Sequence, residues 1–183
     1  MKKTTAQFMR NAFGAESAAR MRYTLFSHQA ELEKFHNVAR LFRALAFAEE
    51  VHAASHYRQT KELLGEYCIS FTAPFILNRT VDNMKKSFEA EREESEEYYP
   101  PLAAVAKSQG EMHAAQNFEW MAQAEKAHSE MLRLALEALE HDAGDPQIGE
   151  LYACDICGLV IEGKPPENCP ICMAKQFRFR IIS

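Results

Sequence analysis

The sequence predicts a mainly α fold, a four-helix bundle that ends in a small metal-knuckle domain. Three observations predict it. Long stretches place apolar residues at steps of three and four, the spacing of helix faces that seek a core. Two of these stretches carry a Glu-x-x-His pair on the inward face, Glu49 with His52 and Glu125 with His128. Four of the five cysteines form two C-x-x-C pairs between Cys154 and Cys172.

The first helix is expected from Thr4 to about Lys34, where Phe8, Ala12, Glu16, Ala19, Tyr23, Phe26 and Ala30 hold one face. Glu16 therefore takes a core position, where an unpaired charge is expensive. A second helix should run from about Phe35 to Leu64 and stop at Gly65, with Leu41 and Leu45 leading in step to Glu49, His52 and His56. His56 reads at least equally well as a satisfied buried histidine and is left outside the site.

From Glu66 to Arg79 the chain reads EYCISFTAPFILNR and shows no helical stripe. Extended, such a segment spans roughly 45 Å, the length of a bundle. One long crossover between two antiparallel helix pairs is the ferritin-like topology, and the same reach permits exchange of helix pairs between subunits. Cys68, without a partner in sequence, reads as a small packed hydrophobe.

Thr80 or Asn78 is expected to cap a third helix along Val81, Met84, Phe88, Glu91, Glu94, Tyr98, Leu102 and Val105. Most acids of EAEREESEEYY read as a solvated face, but the register turns Glu91 and Glu94 inward. Pro100 and Pro101 predict a kink or a restart. The fourth helix should span about Glu111 to His141, carrying Phe118, Ala122, Leu132, Leu136 and Leu139 beside Glu125 and His128. The expected organisation is a bundle over 1–141, a linker over 142–150 and a knuckle domain over 151–183.

Each half thus pairs an inward Glu with a Glu-x-x-His helix: Glu16 with Glu49 and His52, then Glu94 with Glu125 and His128. Carboxylates that bridge and imidazoles that terminate suit two iron or manganese ions inside a bundle. The two C-x-x-C pairs make a four-thiolate site, with Gly158 and Pro170 in its tight turns. From thiolates alone iron and structural zinc are not separable. So short a tail lacks a core of its own, and the metal must supply much of its stability.

Composition narrows the rest. A net charge of -5 with scattered basic residues excludes a nucleic-acid surface. No apolar run approaches the roughly 20 residues of a membrane span, and MKKTTAQFMRNAF lacks a signal-peptide stretch, so a cytoplasmic protein without a membrane partner is expected. In a reducing compartment, paired cysteines indicate metal before disulfide.

The motifs AESAARMRY, AEEVH, ExxExxxxYP, AEKAH, YxCxxCG and CPxC together resemble the rubrerythrins, over nearly the whole chain. The resemblance implies a ferritin-like diiron bundle with a rubredoxin-like Fe(Cys)4 domain. It implies that Glu49 and Glu125 bridge two non-haem irons, that Glu16 binds the first and that Glu94 with His128 binds the second. The first iron would alternate between His52 when reduced and Glu91 when oxidised, with Tyr23 and Tyr99 behind the ligands. Cys154, Cys157, Cys169 and Cys172 would hold the third iron. The implied activity is peroxidase: hydrogen peroxide is reduced to water with electrons from an NAD(P)H-dependent reductase or a carrier such as rubredoxin. A ferroxidase or iron-storage role and a redox-sensing role are the alternatives. A head-to-tail homodimer, with helix exchange permitted, is expected because the tail would then reach the partner's site. Three departures stand out, one of them a final FRFRII more basic than is common. Met173 follows Cys172 where rubredoxins usually have Gly, which leaves that knuckle's geometry open. Gly14-Ala15 inverts the family's usual order, and no consequence of this is expected.

Overall fold

The computed structural model describes residues 1–142 and 144–183; Ala143, in the expected linker, lies outside the described residues. Helices α1 (Lys3–Leu32) and α2 (His36–Gln59) form an antiparallel pair joined by a short turn. Their faces meet along the predicted stripes, with Tyr23, Phe26, Leu41, Phe42 and Leu45 in one buried cluster. α2 ends five residues earlier than expected. Beyond Gln59 the stripe has no core to meet, and Leu64 is 86% exposed.

The crossover then runs along α1 in the direction of its chain. Asn11 Oδ1 accepts from the Ser70 amide at 3.1 Å, and Gln7 Nε2 donates to the Cys68 carbonyl at 3.2 Å. Cys68 itself is exposed, not packed as expected. Gly14 proves to matter. A β-carbon there would stand 2.6 to 2.8 Å from Phe71 and Ile69, so the inverted Gly-Ala order lets the crossover lie directly on the helix.

The second pair consists of a composite arm and α5 (Met112–Asp142). The arm is α3 (Thr80–Glu93), a π-helical segment at Glu94–Tyr98, and α4 (Tyr99–Ser108). The expected break at Pro100 and Pro101 takes this form because both prolines lie in the first turn of α4 and lack N–H groups. At the first helical positions the missing donors cost little, and the π turn stands immediately before them. Capping of α3 differs from expectation: the Thr80 amide donates to Glu33 Oε2 at 3.0 Å, and the Asn78 amide donates to Asn83 Oδ1 at 2.9 Å.

The tail builds an antiparallel sheet ordered β2-β1-β3, from β1 (Leu151–Cys154), β2 (Val160–Glu162) and β3 (Phe179–Ile182). It is not a free unit. Leu151, Ala153 and Val160 belong to the same buried cluster as Ala44, Leu45 and Ala48 of α2. Trp120 and Ala127 of α5 pack against the cysteines. The sheet is too small to bury both of its faces, so it borrows the bundle's surface.

The tail reaches the bundle by folding back on its own chain. Asp145 caps the start of α2, accepting from the Asn37 amide at 2.8 Å and the Val38 amide at 3.3 Å. Arg40 then binds the carbonyls of Ile148 and Gly149, and Arg43 Nε donates to the Ser183 carbonyl at 2.8 Å. The linker's length permits either folding back or reaching a neighbour, and here a carboxylate at the helix N-terminus turns the tail back along its own chain.

Candidate metal centres

In the bundle, Glu16, Glu49, His52 and Glu125 place one ligand atom each within 4.8 Å of one another. Glu91, Glu125 and His128 do the same, as do Glu49, Glu91, Glu94 and Glu125. Every bundle residue proposed from the sequence as a ligand is brought together. All are buried except Glu94, which is half-buried.

Both imidazoles are oriented by the tail. His52 Nε2 lies 3.0 Å from the Cys157 carbonyl, and His128 Nε2 lies 3.1 Å from the Gly158 carbonyl. A carbonyl only accepts, so each ring keeps a proton at Nε2 and turns Nδ1 toward the carboxylates. Nδ1 of His52 stands 2.8 Å from Glu125 and 3.1 Å from Glu49; Nδ1 of His128 stands 2.7 Å from Glu125 and 3.2 Å from Glu91.

Glu91 therefore sits on the side of His128, not facing His52 as expected. Burial and then the Glu125 charge raise the Glu91 carboxyl, against the pull of His128. Glu94 is raised well above the usual range by burial and then by Glu91 and Glu125, against the opposing charges of Arg22 and then His52.

The electrostatics fit metal ions. Five carboxylates meet two imidazoles, an excess of buried negative charge that cations must offset. Glu16 and Glu49 are held well above the usual carboxylate range, by burial first and then by neighbouring acids. Burial alone would pull both histidines down, but Glu125 holds His52 and His128 at about 9. Glu16 Oε2 and Glu49 Oε1 are buried without any hydrogen-bond partner, as ligand atoms awaiting a cation would be.

The tyrosines stand where expected, behind the ligands: the Tyr23 hydroxyl donates to Glu91 Oε1 and the Tyr99 hydroxyl to Glu16 Oε1. His56, left outside the site from sequence, extends that network. Its Nε2 lies 3.0 Å from the Tyr99 hydroxyl, and burial, then His52, lowers its pKa to about 3, so the ring is neutral. Nothing in one helix's spacing separates this role from ordinary packing.

In the tail the sulfurs of Cys154 and Cys172 are 3.7 Å apart, and those of Cys157 and Cys169 3.6 Å. A tetrahedron with metal–sulfur bonds of about 2.3 Å has edges of roughly 3.8 Å, so the cage fits a single ion. Its two knuckles match. The Gly158 amide donates to Cys154 O at 3.0 Å, and the Met173 amide donates to Cys169 O at 3.0 Å. Both residues have positive φ, 77° and 61°. Met173 thus keeps the family geometry at the cost of strain. Gly158 has a second duty that sequence did not reveal, because a β-carbon there would lie 2.2 Å from His52 Nε2.

This fold and site define a class: ferritin-like bundle proteins with a carboxylate–histidine diiron site and a rubredoxin-like four-cysteine knuckle. The rubrerythrin family model matches residues 7–136, and the model of the rubrerythrin rubredoxin-like domain matches 152–180. The chain belongs to the rubrerythrin family, whose members are oxidoreductases. It is 34% identical to rubrerythrin-2 of Clostridium acetobutylicum over 96% of this chain and 95% of that one. It also superposes on the fully reduced, all-ferrous state of nigerythrin with a TM-score of 0.85, at 26% identity over 97% of this chain and 86% of that one. An open-pore ferritin of Archaeoglobus fulgidus, 12% identical with a TM-score of 0.65, covers 76% of this chain and 86% of its own, and shares the fold alone.

Proposed function

We propose that the chain is a cytoplasmic peroxidase of oxidative-stress defence, reducing hydrogen peroxide to water with electrons passed from the four-cysteine knuckle. The observation that carries this is the seat of the knuckle: backbone carbonyls of Cys157 and Gly158 touch the two bundle histidines. A structural zinc knuckle would have no use for a direct bridge between a thiolate residue and a redox ligand. The knuckle accordingly takes iron, supplied with electrons by an NAD(P)H-dependent reductase or a small carrier such as rubredoxin.

Two irons in the bundle would supply two electrons to one O–O bond, so that no one-electron oxygen radical need be released. Glu49 and Glu125 would be shared between them, with Glu16 and His52 holding one and Glu91 and His128 the other. Glu94, half-buried and within the influence of His52, is the carboxylate suited to alternate with that histidine. It opens the π segment, an interruption of the helix that is frequent at functional sites. Tyr23 and Tyr99 hold Glu91 and Glu16 in orientation. The knuckle and the bundle site that meet here belong to one chain.

Stopped-flow oxidation of the reduced, iron-loaded protein tests the reading. Peroxide should outpace oxygen, and the red knuckle should bleach with dithionite and recover with peroxide. Faster oxidation by oxygen would favour a ferroxidase, and a colourless zinc knuckle after growth in iron would remove the electron path.

A further inference from the structure

Glu94 is the one bundle ligand that is not buried, and it lines a cavity of about 700 Å³. The cavity lies between α1 and the α3–α4 arm, and residues 70–74 of the crossover line it as well. That volume is at odds with the small substrate: hydrogen peroxide needs roughly twice a water's share of about 30 Å³. Cavities of this size ordinarily hold organic molecules. Phe8, Phe71, Pro74 and Leu102 supply apolar wall, while Arg22, Lys86, Glu93 and Glu94 supply charge. Gly14 brings the crossover close enough for Phe71 to be part of that wall.

We propose that this cavity admits organic hydroperoxides with a compact apolar substituent, of the size of tert-butyl or cumene hydroperoxide, and presents their O–O end at Glu94. The inference rests on the peroxidase reading above. The O–O bond of ROOH breaks, two electrons come from the reduced metal site and two protons from solvent, and the products are ROH and water. The apolar substituent stays in the cavity, so size selection lies in its walls and not in the metal ligands. A change of even one methylene in that wall alters discrimination by about 10–200-fold.

Full-length, iron-loaded protein is reduced and mixed with hydrogen peroxide, tert-butyl hydroperoxide or cumene hydroperoxide in a stopped-flow instrument. Separately, binding of cumyl alcohol, which has the same substituent but no O–O bond, is measured by saturation-transfer NMR. Cumene hydroperoxide should oxidise the site within tenfold of the hydrogen peroxide rate. Ala73→Trp, which fills the cavity from the crossover, should lower the cumene-to-hydrogen-peroxide rate ratio at least tenfold and abolish the cumyl alcohol signal. Leu102→Ala, which enlarges the cavity, should raise the ratio. A ratio unmoved by both variants, with no cumyl alcohol binding, overturns the proposal. If neither hydrogen peroxide nor organic hydroperoxide oxidises the protein, the peroxidase reading fails. In that case, alcohol binding that Ala73→Trp removes still supports the ligand class, and its absence overturns that too.

Discussion

Two glycines with left-handed backbone separate conformation from contact. Gly158 and Gly163 have φ of 77° and 79°, yet a β-carbon at Gly163 meets nothing within 4 Å while one at Gly158 meets the His52 ring. Gly163→Ala should therefore cost only backbone strain, about 1 kcal/mol in a thermal melt. Gly158→Ala adds a clash with a packed imidazole. It should lose roughly 2–3 kcal/mol and slow the reduction of the bundle irons by the knuckle at least tenfold after flash reduction. Equal effects from the two substitutions would show that the knuckle does not depend on its seat. Met173 supplies the converse. It carries left-handed strain with its side chain 68% exposed, so Met173→Gly removes strain and loses no packing. A gain of about 1 kcal/mol, or roughly 2–4 °C, is expected by calorimetry of the metal-loaded protein.

Among the elements, the crossover and the π segment set access to the site. The crossover is held to α1 by hydrogen bonds from Gln7 and to Asn11, and by the space that Gly14 leaves. The neighbouring atoms at Gly14 are the ends of side chains, which can yield, so Gly14→Ala should lift the segment without unfolding the helix. Limited proteolysis should cut within residues 66–79 several-fold faster in that variant, with helix content by circular dichroism unchanged. The π segment places Glu94 one turn after Glu91, on the same face, with different company: Glu91 meets His128 and Tyr23, and Glu94 borders the cavity. Glu94→Ala should leave both irons bound but remove the redox-linked ligand change. That would appear as identical Mössbauer parameters for the two sites' environments across oxidation, apart from the change of charge.

For the whole molecule, bundle and knuckle form one cooperative unit, because β1 shares its buried cluster with α2 and the cysteines pack on α5. Removing all metal with a chelator at neutral pH leaves buried carboxylates facing one another. Both parts should lose stability together, in a single transition at least 10 °C lower. The fold-back linker carries a further expectation. A subunit lacking knuckle iron (Cys154→Ser with Cys157→Ser) mixed with one lacking the bundle site (Glu49→Ala with Glu125→Ala) should recover no activity if the knuckle works from its seat on its own chain's bundle. Recovered turnover in mixtures would mean that the knuckle crosses between chains in solution.

The sequence by itself determined which residues would gather. Helical spacing turns Glu16, Glu49, His52, Glu91, Glu125 and His128 inward, with Glu94 at their edge, and buried charge of that density demands metal; the cysteine spacing closes a tetrahedral cage in the same way. These are consequences of local geometry, so they were legible in one dimension. What depended on distant atoms was not. That Glu91 goes with His128 and Glu94 opens to a cavity follows from how the arm packs on α5 and α1. That Gly14 holds the crossover and Gly158 faces His52 follows from segments more than 50 residues away in the chain. The direction of the tail was decided by Asp145 meeting the first amides of α2, a contact across more than 100 residues that no periodicity encodes.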